Sequence, residues 1–140
     1  MPLVYLDASA LVKAIREKEE NEAVALRAYL EGAELASSEL VLAEVPRALR
    51  RVAAEGSRSQ LEPTLRRAAE TLDLLSLRPV DDALLIGAAM FAEPTLRSLD
   101  AIHVATALHL YPIDAFVTYD ERQASVARLA GLKTVAPGAG

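Results

Sequence analysis

The chain has 140 residues, of which 52% are apolar, so we expect residues 1–140 to form a single domain with its own core. The absence of cysteine excludes disulfides, iron–sulfur clusters and thiolate zinc sites. No apolar run approaches the ~18 residues of a membrane span. We therefore expect a cytoplasmic protein without a membrane partner. The net charge of −5 argues against a general nucleic-acid binder, since such proteins are usually basic.

Short apolar segments alternate with helical patterns along the whole chain. Strands are predicted at residues 3–6, 34–37, 76–80, 114–118 and 133–135. Helices are predicted at 9–16, from a cap at Asn21 to Gly32, and at 38–55, 59–75, 81–91, 99–110 and 121–129. Ser9 is the predicted cap of the first helix, and a capping box begins at Ser59. Largely apolar strands that alternate with helices predict an α/β fold whose parallel sheet is covered on both faces.

Four carboxylates lie where this fold would bring them together. Asp7 and Asp120 each come just after a predicted strand, and ligands of parallel α/β sheets bind beyond the carboxyl ends of the strands. Glu44 lies inside an apolar helix pattern, and Asp100 lies at the start of another. Acids in apolar surroundings are costly to bury without a partner, and four together repel one another. A divalent cation is the simplest remedy.

Each acid also has a purely structural interpretation. Asp7 would turn the chain out of its strand, and Asp120 would open a capping box. Asp100 would complement a helix dipole, and Glu44 would pair with Arg47 one turn further along. These roles explain neither an acid in the middle of an apolar helix nor the convergence of all four, so a shared site is favoured.

The sequence around the acids reads VYLDAS at 4–9, SELVLAEVPRAL at 38–49, LDAIHVATA at 99–107 and FVTYDER at 116–122. In order and approximate spacing these segments resemble the PIN domain family, and most closely its VapC-type toxins. The resemblance implies a three-layer α/β/α domain around a central parallel sheet, with metal-dependent endoribonuclease activity. It also implies an acidic site formed by Asp7, Glu44, Asp100 and Asp120. Ser9 and Thr118 match the small hydroxyl positions beside the first and last acids.

Carboxylate oxygens are hard ligands that suit Mg²⁺ or Mn²⁺, the expected cofactor. Such an ion activates water and neutralises charge at a phosphodiester. Asp7 and Asp100 are expected to be direct ligands, while Glu44 and Asp120 ligate through water or complete a second metal site. The two hydroxyl residues are expected to orient carboxylates or waters.

Two arginines and a histidine share helix faces with these acids. Arg47 and Arg51 lie three and seven residues after Glu44, hence on its face of the helix. They either contact RNA at the site entrance or pair with nearby acids, and the sequence leaves both interpretations open. His103 lies one turn beyond Asp100; a packed or hydrogen-bonded histidine is favoured, with assistance in proton transfer as the alternative.

The resemblance further implies an RNA substrate, a cognate antitoxin as in type II toxin–antitoxin pairs, and a homodimer. Two other functions stay open. One is a free-standing PIN nuclease that processes RNA; the other is a noncatalytic PIN scaffold that binds RNA or protein. A gene for a small DNA-binding protein beside this one would separate the toxin from the processing nuclease. A metal-dependent nuclease assay would separate both enzymes from the noncatalytic scaffold.

Overall fold

A computed structural model describes residues 1–16, 20–56 and 58–139. The strands are β1 (Leu3–Leu6), β2 (Glu34–Ser38), β3 (Ser76–Arg78), β4 (Ala115–Val117) and β5 (Thr134–Val135). The α-helices are α1 (Ala8–Ile15), α2 (Asn21–Leu30), α3 (Val41–Glu55), α4 (Leu61–Asp73), α5 (Asp82–Ala89), α6 (Ser98–His109) and α7 (Glu121–Leu129). All five predicted strands and the predicted helices are therefore present; β1 and α7 have the predicted ends, and the other elements have shifted ends.

The strands form one parallel sheet, as the alternating pattern predicted, and their order in it is β3-β2-β1-β4-β5. The central strand β1 pairs with β2 on one side and with β4 on the other. The chain therefore runs outward from β1 in one direction and then in the other. The crevice at such a reversal, beyond the carboxyl ends of the strands, is where ligands bind in sheets of this kind.

Successive residues of a strand point to opposite faces of the sheet, and this separates two apolar layers. Val4 and Leu6 pack with apolar residues of α1 to α4, whereas Tyr5 packs with α6 and α7. The Tyr5 ring also stacks on Phe116 of β4, with the ring centroids 5.2 Å apart. The predicted three-layer α/β/α architecture is confirmed. Within the described residues, none of the helices has the length and hydropathy that crossing a bilayer requires.

The start of α1 differs from the prediction in a way that matters for the site. The N-cap is Asp7, and the predicted cap, Ser9, lies inside the helix. Asp7 has an extended backbone, and its side chain accepts a hydrogen bond from the backbone N–H of Ala10. The carboxylate at the end of β1 therefore also begins the first helix, which fixes its position.

Three other predicted helix starts were wrong by a few residues. Asn21 is the first residue of α2 instead of its cap. α3 begins at Val41, because β2 continues through Ser38. A 3-10 turn covers Arg58–Gln60, so α4 begins at Leu61 and not at Ser59.

Candidate active site

A cleft of about 770 Å³ lies beyond the carboxyl ends of the strands, bounded by α1, α2, α3 and the start of α6. Three of the four predicted carboxylates line it, Glu44, Asp100 and Asp120. Asp7 is only 2% exposed and is hydrogen-bonded to Ser9, which is part of the cleft wall. The fold thus brings three acids to one cleft and places the fourth directly behind its wall.

The Asp7 carboxylate is held by three hydrogen bonds. Its Oδ1 accepts from Ser9 Oγ at 2.7 Å and from Ala10 N at 2.9 Å, and its Oδ2 accepts from Thr118 Oγ1. Thr118 Oγ1 accepts in turn from the backbone N–H of Asp120 at 3.0 Å. An ionised carboxylate has about four acceptor positions, so roughly one stays open. Both hydroxyls predicted to orient carboxylates therefore contact Asp7 and link the ends of β1 and β4.

Asp120 caps α7 with one oxygen. Its Oδ1 accepts from the backbone N–H groups of Arg122 at 2.9 Å and Gln123 at 3.3 Å. The side chain of Gln123, which is 1% exposed, does not complete the capping box but donates to the backbone carbonyl of Asp100 at 3.1 Å. Gln123 thereby joins the starts of α6 and α7. The capping box expected at Asp120 would have given Gln123 a local role within α7 and does not indicate this tertiary contact.

Glu44 pairs with His103 and not with Arg47. Glu44 Oε1 lies 2.7 Å from His103 Nε2, and His103 Nδ1 lies 2.7 Å from the Tyr5 hydroxyl. His103 is 1% exposed, so the favoured prediction of a hydrogen-bonded histidine is confirmed. Tyr5 was not among the predicted site residues. Its hydroxyl lies in a strand predicted to be buried, and a buried tyrosine usually needs a hydrogen-bond partner, so the sequence did contain a signal for this contact.

Burial governs the protonation of two site carboxyls. It raises the pKa of Asp7, and the hydrogen bonds from Thr118, Ser9 and Ala10 only partly oppose the shift. Burial also raises the pKa of Asp100, and the negative charge of Asp120 raises it further. Both groups therefore disfavour the charged form in the absence of a cation, and a bound cation would reverse that preference.

These shifts predict how stability depends on pH when metal is removed. A carboxyl whose pKa is raised by folding lowers the free energy of unfolding as the pH rises through the folded-state pKa. Asn at position 7 cannot ionise. In EDTA, the Asp7→Asn variant should therefore gain stability relative to wild type as the pH increases from about 4 toward neutrality. Chemical denaturation across this pH range measures the difference.

The matched control is Asp73→Asn, which removes an exposed carboxylate at the end of α4. Comparison of the two variants separates the effect of a buried carboxylate from the effect of removing one negative charge from the protein. A difference for Asp7→Asn that is independent of pH would contradict a buried, reluctantly ionised Asp7.

The donor set of the cleft fits a hard divalent cation. No described residue donates a hydrogen bond to the Asp100 carboxylate, to Glu44 Oε2 or to Asp120 Oδ2. Oxygen ligands of this kind are those that Mg²⁺ and Mn²⁺ prefer. No group of three or more Asp, Glu or His side chains in residues 1–16, 20–56 and 58–139 is already close enough to hold one ion. Mg²⁺ usually keeps several of its waters and needs only one or two direct carboxylates, so this spacing suits ligation that is partly through water.

Cationic side chains share the cleft with these acids. Arg47, Arg51 and Glu44 all line it, so the predicted common helix face is observed. Neither arginine forms an ion pair with a described residue, so the pairing considered for Arg47 and Glu44 is not formed. The other cationic residues of the cleft are Lys13, Arg16 and Arg97. An anionic polymer that crosses the cleft would meet positive charge on several sides.

A family model described as PIN domain matches residues 4–129. The chain belongs to the PIN domain family. Relatives of nearly equal length are ribonucleases of the VapC group from Mycobacterium tuberculosis. Ribonuclease VapC35 is 39% identical, and the match covers 97% of this chain and 98% of VapC35. VapC47 is 38% identical over 98% of both chains. VapC46 is 40% identical, and the match covers 98% of this chain and 99% of VapC46.

A solved structure has the same PIN fold. It is VapBC2 from Rickettsia felis bound to a DNA fragment from its promoter, with a TM-score of 0.64 over 95% of this chain and 97% of that one. Sequence identity is 15%, so this likeness supports the fold alone.

Proposed function

We propose that residues 1–140 form a single PIN domain that acts as a metal-dependent endoribonuclease, the toxin of a type II toxin–antitoxin pair. The observation that carries the proposal is one cleft with carboxylates and unpaired arginines in its wall, in a chain whose full-length relatives are VapC ribonucleases. Carboxylates alone would repel RNA, and arginines alone would only bind it. Together they suit hydrolysis of a phosphodiester that is held in place.

Within this proposal the four acids are the catalytic residues. Asp7 and Asp100 would hold Mg²⁺ or Mn²⁺ directly, Asp7 through the acceptor position that its three hydrogen bonds leave free. Glu44 and Asp120 would ligate through water or complete a second metal site. The chemistry that such an ion contributes is a more acidic bound water and neutralised charge at phosphorus. Ser9 and Thr118 keep the Asp7 carboxylate in place.

Metal-dependent cleavage is the test of this function. The purified protein should cut RNA internally in Mg²⁺ or Mn²⁺, stop in EDTA, and recover when excess metal is returned. Sequencing of the new RNA ends would identify the cleaved sequence. Full activity of a pure preparation in chelator would contradict the mechanism.

Arg47 and Arg51 are proposed to bind RNA phosphates at the cleft. Replacing both by alanine should weaken RNA binding and flatten its salt dependence, because each lost phosphate contact removes roughly 0.7 from the slope of log affinity against log salt for a single strand. Affinity measured at several salt concentrations, with EDTA present to prevent cleavage, gives this slope.

The chain offers a charge-matched control for this pair. Arg50 and Arg58 are exposed and lie outside the cleft lining, so the double alanine variant removes the same charge elsewhere. It should leave the slope close to the wild-type value. Equal slopes for wild type and the Arg47/Arg51 variant would limit these arginines to a structural role.

An antitoxin is proposed to occupy the same cleft. Small apolar residues of α1, α2 and α3 line it beside the charges, namely Val12, Ala23, Ala43 and Ala48. An apolar helix would pack on them, and a basic side chain carried on it would reach Glu44 and Asp100. Arginine suits this contact best, since its guanidinium matches a carboxylate with two hydrogen bonds.

A homodimer is also proposed, with α5 in its interface. Leu84 and Ala88 of this helix are buried, yet Leu85 and Ile86 are 45% and 67% exposed, and Met90 just after it is 79% exposed. A helix that is apolar on all sides usually has a partner on its outer face as well.

We also propose that the protein acts in the cytoplasm, together with its RNA substrate and its antitoxin.

A further inference from the structure

A chain of buried hydrogen bonds runs from the centre of the sheet to the cleft. It begins at the Tyr5 hydroxyl in β1, passes through the His103 ring in α6 and ends at Glu44 Oε1 in α3, with 2.7 Å at both steps. Tyr5 and His103 are 0% and 1% exposed, while the Glu44 side chain is 19% exposed. These hydrogen bonds thus connect the buried core of the protein to a carboxylate that lines the cleft.

For the neutral form of the His103 ring, the partners determine which atom donates at each step. An ionised carboxylate only accepts, so the bond to Glu44 requires a proton on His103 Nε2. A neutral imidazole then has a bare Nδ1, which accepts from the Tyr5 hydroxyl. A tyrosine hydroxyl carries its proton at neutral pH and can donate it to this nitrogen. Tyr5 therefore holds the ring in the tautomer that donates to Glu44.

The geometry leaves one oxygen of Glu44 free for a ligand. Oε1 is occupied by His103, whereas no described residue donates a hydrogen bond to Oε2. His103 also lies one turn after Asp100 in α6, so the same bond links α3 to the helix that supplies a second cleft carboxylate. A long, flexible glutamate would otherwise sample several rotamers at this wall.

We propose that His103 is a positioning residue, which together with Tyr5 fixes the Glu44 carboxylate so that its second oxygen is presented to the metal. This rests on the proposed function, in which Glu44 is a metal ligand. Hydrogen-bonded neighbours of ligands set ligand orientation, and their loss typically lowers metal affinity about 10- to 100-fold. A merely structural histidine would instead affect stability and leave the metal affinity of the folded protein unchanged.

The test is Mn²⁺ affinity, measured by titration calorimetry on the full-length protein without RNA. His103→Leu should bind Mn²⁺ about 10- to 100-fold more weakly than wild type. His103→Gln should recover most of the loss, because its amide N donates to Glu44 and its amide oxygen accepts from Tyr5. Tyr5→Phe should lie between wild type and His103→Leu, since the ring keeps its bond to Glu44 but loses its tautomer restraint.

Folding and cavity effects are separated by two controls. Circular dichroism and melting in EDTA show whether each variant is folded, and Tyr5→Phe carries the test if His103→Leu does not fold. Val104→Ala opens a cavity in the same helix, at a residue that is 0% exposed. It should lower the melting temperature without changing Mn²⁺ affinity.

The outcomes distinguish this inference from the proposed function. Wild-type affinity in folded His103→Leu, or in Tyr5→Phe when the Leu variant is unfolded, would overturn the positioning role alone. Loss of affinity in His103→Gln as large as in His103→Leu would also overturn it, because the donated hydrogen bond would then be irrelevant. Absence of Mn²⁺ binding by wild type would overturn both the metal mechanism and the role of His103.

Discussion

Asp7→Asn and Asp100→Asn should each reduce RNA cleavage at least ~100-fold while the protein stays folded. Loss of a residue that is hydrogen-bonded to a metal ligand already lowers metal affinity or activity about 10- to 100-fold. Loss of the charge of a ligand itself is expected to lower activity further. Cleavage rates at saturating Mg²⁺ measure the effect, and melting in EDTA measures the fold.

The hydrogen bonds around Asp7 explain why its amide variant should fold. The Asn oxygen can still accept from Ser9 Oγ and Ala10 N in the place of Oδ1. The new amide N–H would point to Thr118 Oγ1, which now donates to Oδ2. A hydroxyl can rotate and has two acceptor positions, so Thr118 can accept from Asn while it keeps its bond from Asp120 N. The substitution also removes a buried charge, which favours stability.

Asp100→Asn tests the same site without a hydrogen-bond network to preserve. Its carboxylate is half-buried and accepts no hydrogen bond from a described residue, so the exchange removes charge and little else. Asp73→Asn again serves as the exposed control and should keep wild-type cleavage. If Asp7→Asn or Asp100→Asn lost activity only because it unfolded, the structural interpretation of that acid would stand.

Expression of the protein by itself should arrest bacterial growth, and co-expression of the adjacent small gene should restore it. An active endoribonuclease degrades RNA that the cell needs, and the proposed antitoxin suppresses this by filling the cleft. The two proteins should also co-purify. Growth curves with and without the second gene, and with the Asp7→Asn variant as the inactive control, measure the effect.

The structure suggests which antitoxin contacts matter most. Asp7 is buried, so an entering basic side chain would meet Glu44 and Asp100 first. Normal growth on expression, combined with RNA cleavage by the purified protein, would favour the free-standing processing nuclease. Normal growth and no cleavage under any metal condition would favour the noncatalytic scaffold.

Local sequence pattern was sufficient for the fold and for the neighbourhood of the site. Apolar segments of strand length define the strands, and their alternation with helices leads to a parallel sheet. Asp7 and Asp120 follow strands β1 and β4, so they lie at one edge of that sheet. Helical spacing placed Arg47 and Arg51 on the face of Glu44, because 3.6 residues per turn is a local property.

Only the tertiary structure decided which partner each polar group has. Glu44 bonds to His103, 59 residues away, instead of Arg47 one turn away, and His103 bonds to Tyr5 across 98 residues. Such pairs depend on how α3, α6 and β1 pack, which periodicity within one element does not specify. Packing likewise buried Asp7 behind Ser9 and left Asp100 in the cleft wall. The sequence by itself indicated which acids lie at or beside the cleft; their burial, bonds and free oxygens arise from contacts between distant segments.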